Sequence, residues 1–189
     1  MNLLRVLLGQ GGPPKAKLDA LFALSTAYVT LLTRLELKTG GRAGIAFRPA
    51  EASRFQELSR ELEGLLGISV EETGSRYTVQ QDNYGYTWVV LEDEHLEDLV
   101  ATVHMVSTTV EEHGYGPLLL AAAFRFVEEG GPVYWVYNYK RGAFYPFAPL
   151  ASGERRDNAK ELRLKALMET ELPVEPKLEQ WYALWDLPV

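Results

Sequence analysis

The chain contains no cysteine. Disulfides, thiol nucleophiles, thiolate zinc sites and iron–sulfur clusters all need that sulfur and are excluded. Histidine is almost as scarce, with three residues, His95, His104 and His113. Their even spacing of nine invites a metal-site reading. Nine residues, however, turn an ideal helix through about 900°, so neighbours in the series point to opposite faces. His95 and His113 share a face but stand roughly 27 Å apart at the helical rise. No joint metal site is expected, and no cofactor. An excess of positive charge is missing too: 26 acidic residues against 19 basic ones give a net charge of −7. Counterion release needs clustered lysine and arginine, so nucleic acid is not an expected partner. No apolar run reaches the ~18 residues of a membrane span. The opening MNLLRVLLGQGG lacks the long apolar region and small-residue cleavage site of a secretory signal. A cytoplasmic protein is the expectation.

What is present suits one globular domain, since 189 residues with 47% hydrophobic content can bury a full core. Leu3, Leu4, Leu7 and Leu8 make a short apolar arm, and the Gly/Pro-rich stretch to Pro14 breaks any helix behind it. Residues 1–14 therefore read as an arm and hinge, and residues 15–189 as the domain. A helix is expected from Lys17 to about Leu37, stopped by Gly40-Gly41, then a short strand over 43–49 and a helix carrying Phe55, Leu58, Leu62, Leu65 and Leu66. Arg76–Gln80 and Tyr84–Leu91, joined through Gln81-Asp82-Asn83, read as a hairpin with Tyr84, Tyr86, Trp88 and Val90 on one face. Leu96, Leu99, Val100, Val103, Val106 and Val110 mark a third helix closed by His113-Gly114. Leu118–Val127 fits a strand or a helix and is taken as a strand. Alternation over Val133–Tyr139 gives another, and Pro146 and Pro149 limit the strand after Arg141-Gly142 to a short edge. Ser152 is a plausible N-cap for a helix to about Met168, and a short terminal helix would hold Leu178, Trp181, Tyr182 and Trp185. The predicted fold class is α+β: a mainly antiparallel sheet, hairpin plus meander, covered by helices.

No catalytic constellation emerges, and no enzyme is expected. Ser107 lies three residues after His104 on a helix, without the elbow or oxyanion hole that nucleophilic catalysis requires. The glycines at 9, 11 and 12 follow no strand and lack the lysine of a phosphate loop. Two features remain. Asp82, Tyr84, Tyr86 and Trp88 are candidate ligand-pocket residues, although aromatics on a sheet usually pack against one another and the covering helices. Lys140 and Arg141, with Phe144, Tyr145 and Phe147, are followed closely by Arg155 and Arg156. These four cations either pair with nearby carboxylates or form a basic docking patch beside an aromatic edge.

The segments KLDALFAL (17–24), DNYGYTW (82–88), YKRGAFYPFAP (139–149), GERRDN (153–158) and ELPVEPKLEQWYALW (171–185) occur in an order and spacing that resemble the PspA-associated family called PspAB. The resemblance covers nearly the whole chain. It brings no catalytic residues, because the family is named for being encoded near homologues of phage shock protein A, long helical coiled-coil proteins of the inner membrane face, rather than for a measured activity. It implies a non-enzymatic adaptor that binds a PspA-like helical partner in envelope stress. The apolar arm, with Leu3, Leu4, Leu7 and Leu8 as candidate partner-binding residues, is expected either to serve the partner or a peripheral membrane contact through residues 1–8, or to pack back on the domain. A small-ligand binder or enzyme using the aromatic pocket, and a chaperone-like α+β clamp, are the rival readings.

Overall fold

A computed structural model describes residues 17–48, 60, 62–64, 66, 67, 75–151 and 153–189. After a 3-10 turn at Asp19–Phe22, helix α1 spans Ala23–Leu35. Leu24, Ala27 and Leu31 form its buried stripe. Glu36 ends it in the left-handed region (φ 55°), and the Leu37 N–H turns back to donate to Leu31 O at 3.0 Å. Helical positions 60, 62–64, 66 and 67 bury Leu62 and Leu66. Phe55, Leu58 and Leu65, expected on the same helix, lie outside the described residues. Helix α2 (Leu96–Glu112) buries the six expected apolar residues together with Thr102 and Ser107. It closes at His113, with Gly114 taking φ 79°.

Six strands form one antiparallel sheet: β1 (Lys38–Phe47), β2 (Arg76–Gln81), β3 (Thr87–Glu92), β4 (Leu119–Glu128), β5 (Gly131–Asn138) and β6 (Ala143–Phe147), in the order β2-β3-β1-β4-β5-β6. A hairpin and a meander are thus joined through the central β1, and the α+β class holds. The β4 segment is a strand. β6 is short, pairs with β5 and bears Pro146, where a missing ladder donor is tolerated near an edge. Its outer side is capped: Phe144 N donates to Pro173 O, and Glu175 N donates to Phe144 O, both at 2.8 Å.

The two-residue period divides the sheet's side chains between two cores. Ile45, Phe47, Val89, Leu91, Phe124, Phe126, Trp135, Tyr137 and Phe144 face α1 and α2 in the larger one. Ala46, Trp88, Val90, Ala123, Tyr134, Val136, Tyr145 and Phe147 face the other way, beneath the C-terminal segment. That segment is extended. Only Leu178–Gln180 makes a 3-10 turn, so the expected terminal helix does not form. Trp181 stacks on Tyr145 (6.3 Å between centroids), Trp185 meets Phe147 edge-on (5.3 Å), and the Tyr134 hydroxyl donates to Val189 O at 3.2 Å. Gly44 is needed beneath this strap, since a Cβ there would lie 2.6 Å from Val189 Cγ1.

Three further boundaries differ from expectation. β1 begins at Lys38 rather than 43, and Gly40-Gly41 belongs to it: a register shift between Thr39 and Ala43 absorbs the glycines, Gly41 taking φ 68°. Tyr84 and Tyr86 belong to the turn, because Asp82 captures the backbone and delays β3 to Thr87. Helix α3 runs from Asn158 to Met168, capped by Asp157, whose side chain accepts from Lys160 N at 3.0 Å. Arg155 and Arg156 therefore precede the helix rather than occupying its first turn. Ser152 lies outside the described residues.

Candidate functional site

The hairpin turn is organised by one carboxylate. Asp82 Oδ1 accepts from Tyr84 N and Tyr86 N, both at 2.9 Å, and Oδ2 accepts from Trp88 Nε1 at 2.8 Å. Gly85, at φ 82°, completes the reversal. This local bonding aims Tyr84 and Tyr86 over the outer face of the sheet instead of along a strand. Two side-chain bonds hold the turn there: Asn83 Nδ2 donates to Asp186 Oδ2 at 3.3 Å, and the Tyr84 hydroxyl donates to Glu154 Oε1 at 3.4 Å. Tyr84 is pushed above the usual phenol range by desolvation and by the Glu154 carboxylate.

Between this turn and the strap lies a pocket of about 760 Å³. Its floor is the outer face of the sheet at the strap's edge: Ala46, Trp88, Leu120, Ala121 and Tyr145. The register explains the depth, because Ala46 pairs with Ala121 and two small side chains stand opposite each other at the sheet centre. The shift from Ala46/Ala121 to Phe47/Leu119 leaves Leu120 extra, and it packs on the same outer face as Ala121. Tyr84 and Tyr86 form one wall, Tyr182, Leu184 and Trp185 the other. Asn138, Lys140 and Arg141 from the β5–β6 turn bring polar groups to the rim, with Glu154 and Gln180. The exposed rings of Tyr84 (53%) and Tyr182 (53%) are unusual for a protein that buries most of its aromatics, and both stand at this mouth.

The structure therefore brings together Asp82, Tyr84, Tyr86, Trp88, Lys140, Arg141 and Tyr145 of the residues singled out from sequence. It does not keep the four cations as one free patch. Arg141 donates through Nε and Nη2 to Glu175, at 2.7 and 3.1 Å, and Glu175 is 2% exposed. The guanidinium bonds hold the Glu175 carboxyl below its usual range. Arg156 donates from Nε to both oxygens of Glu161 (2.9 and 2.8 Å), from Nη1 to Trp181 O (2.8 Å) and from Nη2 to Pro146 O (3.4 Å), and its guanidinium lies 5.2 Å from the Phe147 ring centroid. Glu161 is 2% exposed; burial pushes its carboxyl above the ordinary range, against the lowering effect of Arg156 and of the Ala148 N–H. Arg155 joins the turn through its backbone, with N donating to Gly153 O at 2.8 Å and O accepting from Leu150 N at 2.9 Å. Phe144 and Phe147 are fully packed in the two cores. Leu3, Leu4, Leu7 and Leu8 lie outside the described residues.

Sequence reasoning missed the strap. The sequence reading places Leu178, Trp181, Tyr182 and Trp185 on a short terminal helix, whereas beyond the Leu178–Gln180 turn the chain is extended. The nearby Pro173 and Pro176 were the available signal for extended chain. Ala46 and Ala121 give no sequence signal, since only the strand register makes them a floor.

Two other clusters have ordinary structural work. Asp93, His95 and Asp98 bring one ligand atom each within 4.8 Å of one another. Asp93, however, accepts from Ser75 Oγ at 2.5 Å and from His95 N at 2.8 Å. Burial acts to raise its pKa, but these bonds outweigh it and hold the carboxyl below the usual value. The group also sits at the start of α2, where the helix dipole opposes a cation. Ser107 Oγ lies 2.6 Å from both Val103 O and the Tyr139 hydroxyl, inside the larger core, while His104 packs against Phe22 at 4.6 Å.

These features define a single-domain α+β protein with one aromatic-walled pocket built on the outer face of its sheet. The family model for PspA associated protein B, PspAB, matches residues 1–189, and the chain belongs to that family. Comparison with curated proteins and with solved structures finds no match. The family name implies association with PspA, which is compatible with an accessory role. No helix among the described residues is long and apolar enough to cross a membrane.

Proposed function

We propose that this protein is a non-enzymatic accessory factor that binds an apolar face of a PspA-like helical partner in its pocket, at the inner face of the membrane during envelope stress. The observation that carries the reading is the pocket itself. Its volume of about 760 Å³ exceeds that of one side chain several-fold, so it suits successive anchors of an amphipathic helix. Its walls are tyrosine and tryptophan, the residue types that supply contact area at small entropic cost. Tyr84 and Tyr182 already stand half exposed, so part of their apolar surface remains to be buried. The family name supplies the partner's class.

A second reading is favoured by one feature. Among the described residues the Lys140 ammonium has no ion-pair partner, and it converges with Asn138 on a cavity within the ~300–1,000 Å³ typical of small-molecule sites. A small anionic ligand with an apolar body would suit it. Titrating the purified protein with a PspA-like protein, and separately screening small anions by thermal shift, distinguishes the two. Saturable association that is weakened at least about tenfold by the double substitution Tyr84→Ala/Tyr182→Ala supports the accessory reading. Stabilisation by a small anion that disappears in Lys140→Ala, without partner association, replaces it by the second.

A further inference from the structure

The described chain begins beside the pocket. Lys17 N donates to Tyr139 O at 3.0 Å, the Tyr137 hydroxyl donates to Lys17 O at 2.7 Å, and Lys17 Nζ reaches Arg141 O at 3.5 Å. The stem of Lys17 also packs on Gly142, where a Cβ would lie 2.6 Å from Lys17 Cδ. Lys17 is thus tied to the β5–β6 turn whose Lys140 and Arg141 line the pocket rim. The sixteen residues before it read MNLLRVLLGQGGPPKA, an apolar segment followed by eight residues rich in glycine and proline.

We infer that the segment Leu3–Leu8 is an intramolecular occupant of the pocket and competes there with the partner. This deepens the reading proposed above and rests on it only for the identity of the competitor. Three observations select this occupant. The first is reach: eight residues extend to about 26 Å, and their anchor Lys17 is bonded to the β5–β6 turn that contributes Lys140 and Arg141 to the rim. The second is chemistry, because the segment offers four leucines and a valine to a pocket walled by tyrosine and tryptophan. The third is charge. The only ionisable side chain in residues 1–8 is Arg5, and the rim carries the carboxylates of Asp82 and Glu154, the latter accepting from the Tyr84 hydroxyl at 3.4 Å, against the cations Lys140 and Arg141, of which Arg141 is already paired with Glu175. A short tether also raises the local concentration of the segment to the millimolar range, so a weak intrinsic affinity suffices for occupancy. A partner must then displace the segment, and its apparent affinity falls by the fraction of molecules whose pocket is open.

The test uses a synthetic peptide of residues 1–12, the full-length protein and a variant lacking residues 1–12, with tryptophan fluorescence as readout because Trp88 and Trp185 line the pocket. The peptide is expected to bind the truncated variant at least about tenfold more tightly than the full-length protein, and to lose that affinity when Tyr84→Ala/Tyr182→Ala is added. Equal binding to both forms, or binding to neither, overturns the inference. Preferential uptake of the peptide by phosphatidylethanolamine/phosphatidylglycerol vesicles, with no binding to the truncated variant, overturns it in favour of a membrane anchor. The same truncated variant is titrated with the PspA-like protein. Peptide binding without partner binding sinks the accessory function and leaves the inference standing; partner binding without peptide binding does the reverse.

Discussion

Glu161 occupies a position of the α3 stripe, with Leu164 and Met168, that would ordinarily be apolar. Its carboxylate is tolerable there because Arg156 and the Ala148 N–H meet it. Arg156 in turn ties the helix to Pro146 of β6 and to Trp181 of the strap. Removing one member of a buried pair strands the other, so Arg156→Ala is expected to cost about 3–5 kcal/mol in denaturant unfolding. A loss under about 1 kcal/mol would show that the arginine is free to serve a partner. Arg141 is a milder case, being less buried than its partner Glu175. The folded-state pKa of Glu175 is depressed, so the stability it contributes is present above the unfolded value and lost as pH falls through the folded one. Glu175→Gln should narrow the stability difference between pH 7 and pH 3 relative to wild type, by no more than about 1 kcal/mol given the exposure of Arg141. An unchanged difference in calorimetry would mean that the pair is not formed in solution. Glu161 works in the opposite direction: its raised pKa favours the protonated form in the folded state, a contribution present at low pH and lost as pH rises through the folded value.

Among the elements, the strap is the least expected and the most consequential. The helices and most strands were legible because their apolar periodicity is clean: α2 repeats at three and four residues, and β5 alternates by two. Tyr84 and Tyr86 alternate just as well, yet the Asp82 side chain captures the turn backbone and takes them out of the ladder. The strap escaped for the converse reason. Trp181 and Trp185 are spaced for a helix but are held by tertiary contacts, the Trp181 Nε1–H donating to Glu175 O at 2.9 Å and the Trp185 ring against Phe147. Of the candidate site, the turn aromatics and Lys140-Arg141 could be named from sequence, whereas Ala46, Ala121 and Tyr182 needed the sheet register and the strap's path. The strap's seating is tested at Gly44. Gly44→Val should destabilise by about 1–3 kcal/mol through overpacking against Val189 and Trp88, with partial recovery when Val189→Ala is added. Additive losses in the double variant would show that the strap does not lie on Gly44.

At the scale of the whole molecule, the sheet divides the labour. Its inner face carries the larger core under α1 and α2, while its outer face is covered by the strap only in part and keeps the pocket. A partner seated in the outer pocket, as proposed, would leave the larger core undisturbed. Substitutions at Tyr84 and Tyr182 should separate binding from folding, since both rings are half exposed and neither belongs to a core cluster. The most direct measurement is isothermal titration of the variant lacking residues 1–12 with a PspA-like protein, repeated on the same variant carrying Tyr84→Ala/Tyr182→Ala. Saturable binding that weakens at least about tenfold in the substituted protein, at an unchanged melting temperature, is the predicted result. Binding of equal strength in both would place the partner elsewhere on the surface and contradict the assignment of the pocket.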